Sequence, residues 1–103
     1  LKDMIVTGGE NVYSKEVEDV LGAHPDIAEA AVVGVPHPDW GETVVAHVVP
    51  RAGTVPDADA LRAFCGERLA AYKIPREFTF VQALPRTPTG KLQKFLLRVR
   101  RED

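Results

Sequence analysis

Hydrophobic residues along the 103-residue chain fall into short blocks separated by glycine, proline and acidic residues. Met4-Ile5-Val6 is a brief apolar run that stops at Thr7-Gly8-Gly9, the pattern of a strand entering a loop. Ser14 then offers a helix cap, with Glu16, Glu18 and Asp19 near the positive helix end. Val17, Val20 and Leu21 give that helix one apolar face before Gly22 and Pro25 end it. Ala30–Val35 and Thr43–Val49 are β-branched runs joined by the turn-rich PHPDWGE at 36–42, which predicts an antiparallel pair with a long tip. Their near-continuous apolar character calls for cover on both faces, or at least one buried face with helices nearby. Asp57 caps a second predicted helix whose Leu61, Phe64, Cys65, Leu69 and Tyr72 form one stripe. Phe78–Val81 predicts a third strand, 84–93 a breaker-rich loop, and Lys94–Arg101 a short final helix with Phe95, Leu96 and Val99 turned inward. The expected fold is α+β: two layers, a small, mainly antiparallel three-stranded sheet, flanking helices and a short extra strand near the N-terminus.

Composition narrows the picture. At 45% hydrophobic, the chain can form one modest core. No apolar run approaches the roughly 20 residues of a membrane-spanning helix, so no transmembrane segment is expected. No signal peptide opens the chain. A single cysteine, Cys65, excludes an internal disulfide and fits a reducing, cytoplasmic setting. The histidines His24, His37 and His47 are too scattered for a metal site and take structural or solvated roles. The chain opens on Leu1 rather than methionine, and it is expected to be a piece of a longer protein.

The net charge of −2 conceals a polarity. Residues 1–60 hold eleven acids against three bases, and residues 61–103 ten bases against four acids. Two readings follow: a solvated basic face, or a site for an anionic partner. Aromatic residues are too sparse there for base stacking, so nucleic acid is not expected and a phosphorylated small molecule fits better. No P-loop, G-x-G-x-x-G helix entry or nucleophile–base pair is evident.

Three stretches in order, KDMIVTGGENVYSKEVEDVL at 2–21, AAVVGVPHPDWGETVVAHVV at 30–49 and YKIPREFTFVQALPRTPTGKLQK at 72–94, resemble the C-terminal domain of the adenylate-forming acyl-CoA synthetases. That superfamily also holds luciferases and peptide-synthetase adenylation domains. The resemblance implies that residues 1–103 are the mobile C-terminal domain of an enzyme whose larger N-terminal domain, holding most of the ATP and acyl pockets, lies outside this chain. It implies activation of a carboxylic acid with ATP and Mg to an acyl-adenylate, then domain rotation and attack by coenzyme A. The expected partners are the N-terminal domain, ATP, coenzyme A and the acid, and the fragment alone is expected to be inactive.

The resemblance also assigns residues. Lys91 would be catalytic in adenylation, where a long ammonium spans the carboxylate and a phosphate by electrostatics rather than covalent chemistry. Gly90 would allow close approach. The hydroxyls of Thr87 and Thr89 would add donors or satisfy the loop backbone. The TGGEN loop would lie on the opposite face and line the pantetheine tunnel, with Gly8 and Gly9 leaving room beside a thin chain. Those glycines also suit a tight turn, and Glu10 and Asn11 either contact ligand or cap locally. Trp40 either stacks on the nucleotide or caps the core at the hairpin end. Lys73 and Arg76 flank Ile74-Pro75 and would be candidates to meet the coenzyme's phosphates. Lys2 and Asp3 fall at the hinge, although the arginine usual in this family would precede Leu1. Two alternatives stand: a peptide-synthetase-type domain delivering to a carrier protein, and a stand-alone anion-binding or interaction module. The GGENVYSKEVE wording is closer to the CoA ligases.

Overall fold

The computed structural model describes residues 3–98. Strand β1 (Met4–Thr7) alternates, with Ile5 buried and Met4 and Val6 exposed. Gly8 and Gly9 have φ of +55° and +81°, the signature of a two-residue type I′ turn, and the chain reverses at once into β2 (Glu10–Tyr13). Thr7 faces Glu10 and Met4 faces Tyr13 across this hairpin. The Gly-Gly segment therefore joins two strands rather than a strand and a helix. Helix α1 (Ser14–Gly22) follows directly, with Tyr13 at its N-cap position. Ser14, expected as the cap, is instead the buried first residue of the helix.

Strands β3 (Ile27–His37) and β4 (Gly41–Pro50) are longer than their apolar runs, so the tip shrinks to Pro38-Asp39-Trp40. Gly41, at φ +80°, turns the chain back into β4. Helix α2 (Ala58–Gly66) is capped as expected, Asp57 accepting from the Ala60 amide at 3.0 Å. It lies in the crossover that parallel strands require, because β5 (Glu77–Phe80) pairs parallel to β4 along Val45–Val48. The five-stranded sheet runs β2-β1-β4-β3, with β5 also beside β4. The α+β architecture with a mainly antiparallel sheet holds, enlarged by β2 and by the single parallel pairing.

The main core lies between one sheet face and the two helices. Ile5, Val12, Val32, Val44, Ala46 and Val48 meet Val17 and Leu21 of α1 and Leu61 and Cys65 of α2. Each fully buried aliphatic side chain here contributes about 1.5–3 kcal/mol. Tyr72, expected on the α2 stripe, is 43% exposed, beyond the end of that helix in a 3₁₀ turn over Ala71–Lys73. On the other sheet face, Val33, Val35 and Val45 form a smaller cluster against Leu97.

The C-terminal helix is a 3₁₀ turn over Lys94–Leu97, and its orientation departs from expectation. Phe95 and Leu96 are 59% and 52% exposed, whereas Lys94 turns inward. The cause lies at the edge of β3. There Glu18 accepts from the Val32 amide at 2.9 Å and the Lys94 ammonium donates to the Val32 carbonyl at 3.3 Å. Lys94 also pairs with Glu18 at 2.8 Å. These two side chains occupy the edge where another strand would pair. In a 3₁₀ turn positions i and i+3 share a face, so an inward Lys94 brings Leu97 inward and leaves Phe95 and Leu96 outside. Val99 to Arg101 of the predicted helix, and Lys2, lie outside the described residues. Among the described residues no helix is long and apolar enough to cross a membrane.

Candidate functional site

The Gly-Gly hairpin is fastened to the tip of the β3–β4 ribbon. The Gly8 amide donates to the Trp40 carbonyl at 2.9 Å, and the Val6 amide donates to Glu42 Oε1 at 2.9 Å. Glu42 reaches β1 by lying across Gly34. These contacts bring Gly8, Glu10, Trp40 and Arg76 together around a cleft of about 180 Å³, with Thr7 and Tyr72 also lining it. Gly9 is the other half of the same turn. Trp40 stacks on His37 with centroids 4.0 Å apart and ring planes within 4°, and the Arg76 guanidinium lies 4.1 Å from its ring centre. His37 is locked because its Nδ1 accepts from the Asp39 and Trp40 amides. Trp40 thus packs on these two side chains and belongs to neither core cluster. From the sequence His37 reads as structural or solvated and Tyr72 as part of the α2 stripe, so neither is expected at this cleft, although His37 stands at i−3 from Trp40 inside the same turn-rich tip.

Lys73 does not join this cleft. It pairs with Glu16 of α1 at 2.8 Å. The Glu16 hydrogen bond outweighs partial burial and raises the Lys73 pKa above its ordinary value. Asn11 lies on β2, paired with Val6.

The lysine loop is a second turn of defined geometry. Arg86 and Leu92 form a β-bridge at its base, and the Gln93 amide donates to the Pro85 carbonyl at 2.9 Å. Gly90 has φ +90°, a conformation natural to glycine. The Thr87 hydroxyl accepts from the Lys91 amide at 3.0 Å and lies 3.0 Å from the Thr89 hydroxyl, so the threonines serve the loop's own structure. The Lys91 side chain is exposed, and its ammonium makes no ion pair among the described residues.

Among the described residues, the bases of the second half do not form a free basic face. Lys73 pairs with Glu16, Arg86 with Glu29, Lys94 with Asp3 and Glu18, and Arg98 with Asp3. Bases from the second half are thus matched with acids from the first. Arg76 is taken up by Trp40, and among the described residues Lys91 is presented outward. Asp3, the described member of the hinge pair, is clasped by Lys94 at 2.6 Å and Arg98 at 2.9 Å. Burial alone would raise the Asp3 pKa, but these cations hold it below the ordinary carboxylate value. Among the described residues no group of three or more His, Cys, Asp or Glu is placed to hold a metal ion.

The two loops sit at opposite ends of one ribbon. Arg86 ties the lysine loop to Glu29 near the start of β3, while the Gly-Gly hairpin attaches beyond His37 at its end. Eight residues of strand at about 3.3 Å each separate these anchors by about 26 Å.

The fold is a small α+β domain with an exposed lysine loop at one end of its long ribbon and a glycine hairpin at the other. The chain belongs to the AMP-binding enzyme C-terminal domain family, whose model matches residues 16–91. It is 47% identical over 98 residues to a long-chain-fatty-acid–CoA ligase of Mycobacterium tuberculosis, covering 95% of this chain and 19% of that protein. It is 53% identical over 90 residues to a 2-succinylbenzoate–CoA ligase of Geobacillus kaustophilus, covering 87% and 18%. Among solved structures, the amide bond synthetase McbA from Marinactinospora thermotolerans is similar at a TM-score of 0.89 and 48% identity, over 95% of this chain and 20% of that one. The chain thus spans about one fifth of the length of these relatives.

Proposed function

We propose that residues 1–103 are the mobile C-terminal domain of an AMP-forming acid–CoA ligase acting in the cytoplasm. The reading rests first on where the two loops are anchored, about 26 Å apart along a single ribbon. Groups that far apart cannot serve one reaction centre in one orientation, so each serves its own step. In the first step Lys91 reaches an N-terminal domain and stabilises charge on the carboxylate and the α-phosphate of Mg-bound ATP. After rotation the Gly8–Gly9 turn and the cleft of Glu10, Trp40 and Arg76 face the same centre, where coenzyme A attacks the adenylate. Arg76 supplies a cation for a coenzyme phosphate, and Trp40 a flat surface for its base. Asp3, with Lys2, lies at the hinge. Lys73, held by Glu16, is placed for support rather than for ligand contact. Thr89 and Gly90 shape the loop that carries Lys91.

The test uses the full-length enzyme and separates the half-reactions. Lys91→Ala is expected to lower pyrophosphate release by about 10²–10³-fold, in the range seen when one charge-stabilising donor is removed. Thioester formation from supplied acyl-adenylate should stay near wild type. Gly9→Leu should reverse the pattern, since a side chain at φ +81° distorts the turn and crowds the coenzyme path. Equal loss in both half-reactions for Lys91→Ala would refute the assignment. The likeness to an amide bond synthetase supports a second reading, with an amine in place of coenzyme A. Offering both acceptors to the same acyl-adenylate decides between them.

A further inference from the structure

Lys91 is exposed, yet its backbone is held at every polar atom. Its carbonyl accepts from the Thr87 amide at 2.8 Å, and its amide donates to the Thr87 hydroxyl at 3.0 Å. The carbonyl of Gly90 belongs to the same rigid peptide unit as the Lys91 amide. That carbonyl accepts from Arg86 Nη1 at 2.9 Å. The peptide plane from which the Lys91 side chain emerges is therefore gripped on both edges, by Thr87 on the N–H side and by Arg86 on the oxygen side. The other guanidinium nitrogen of Arg86, Nη2, donates to the Glu29 carboxylate. Glu29 lies on β3 beside the register shift between Ile27 and Glu29, so the far end of the link is fixed in the sheet. A planar, two-nitrogen fork suits this task because it meets two acceptors at fixed separation, and an ammonium on a flexible stem does not.

We infer that Arg86 is a positioning residue for adenylation, transmitting the fixed frame of β3 through Glu29 to the Gly90–Lys91 peptide and so setting the direction of the Lys91 side chain. This rests on the role proposed for Lys91. Misplacement of a reacting group by about an ångström can cost up to 10²-fold in rate, which is the scale of effect at issue.

Arg86→Gln and Glu29→Gln are introduced into the full-length enzyme, each with Lys91 intact and with Lys91→Ala. In the Lys91 background, kcat for pyrophosphate release should fall about 10- to 100-fold, with KM for ATP and acid little changed. Thioester formation from supplied acyl-adenylate should be unaffected. In the Lys91→Ala background neither change should cost anything further, because both act through Lys91. Arg86→Lys should recover only part of the rate. An additive loss in the Lys91→Ala background, an equal loss in both half-reactions, or no loss at all would overturn the inference. If Arg86→Gln fails to fold, Glu29→Gln, which keeps the shape of the acceptor and removes its charge, carries the test. Should Lys91→Ala itself leave adenylation intact, the proposed function falls and this inference with it. Should Lys91→Ala cripple adenylation while Arg86→Gln and Glu29→Gln do not, only the inference falls.

Discussion

At the scale of single residues, the second sheet face contains a histidine in an unusual position. His47 is on β4 beside the Val33, Val35 and Val45 cluster, and among the described residues neither ring nitrogen has a well-aligned hydrogen-bond partner. Burial lowers its pKa below the ordinary 6.5, outweighing the opposing pull of the Leu97 backbone and the Glu77 carboxylate. The folded state therefore resists protonation while the unfolded chain takes up a proton near pH 6.5. Stability from this residue is present above pH 6.5 and drains away as pH falls towards the lower folded value. Thermal unfolding of the wild type and of His47→Gln between pH 7.5 and pH 5 should show a loss on acidification in the wild type that the variant lacks. Parallel curves would assign the pH dependence elsewhere. Nothing in the sequence around His47 distinguishes it from His24 or His37, because its character comes from which sheet face it occupies and from the turn that ends in Leu97. Lys94 was obscured in the same way. A lysine beside Phe95 and Leu96 looks like the polar position of an amphipathic helix, and only the uncovered edge of β3 turns it inward.

At the scale of elements, the hairpin that carries Gly8 and Gly9 depends on a glycine far from it in sequence. A Cβ on Gly34 would lie 2.5 Å from Glu42 Oε2 and 2.9 Å from Ile5 Cγ2. Glu42 cannot simply swing aside, since its other oxygen holds the Val6 amide. Gly34→Ala should therefore cost about 1–3 kcal/mol, the range of an overpacked core site. It should also free β1 from β4, where Thr7–Gly41 is the paired position. In the full-length enzyme thioesterification should suffer more than adenylation, because the lysine loop is anchored at the other end. Chemical denaturation and the two half-reaction rates measure this directly. An unchanged stability would mean that Glu42 relaxes freely. The sequence showed β3, β4 and α2 clearly, since β-branched runs and a capped apolar stripe are strong local signals. It hid β2 because Glu10–Tyr13 buries only Val12, and four residues with one inward side chain do not make a pattern. The Gly-Gly pair was the available signal, being a two-residue turn that requires a strand on each side. Both candidate loops were legible as motifs. The partners that hold them, Glu42, Arg86 and Glu29, were not, because the Glu42–Val6 and Arg86–Glu29 links span 36 and 57 residues of sequence.

At the scale of the whole molecule, the Cα radius of gyration is 13.2 Å, close to the value of about 13 Å expected for an independent domain of this length. The main core draws on both helices and four strands, and the opposed charges of the two halves of the chain are matched in space. The fragment of residues 1–103 should accordingly unfold in one cooperative transition by circular dichroism. Supplied with ATP, coenzyme A and a panel of acids, it should form no acyl-CoA. Thioester formation by the fragment alone would place the missing pockets within these residues.

The β3–β4 ribbon also behaves as a ruler. Its length sets how far apart the two loops are anchored, and so the size of the swing that the proposed rotation would require to exchange one for the other. Removing a matched pair of residues from each strand would preserve which side chains face the core, because sheet faces repeat every second residue. It would shorten the reach by about 7 Å. Such a domain would keep both loops and its core, yet bring one of them to the wrong place whenever the other is correctly docked. The spacing between the loops, rather than either loop alone, would then be what couples the two half-reactions.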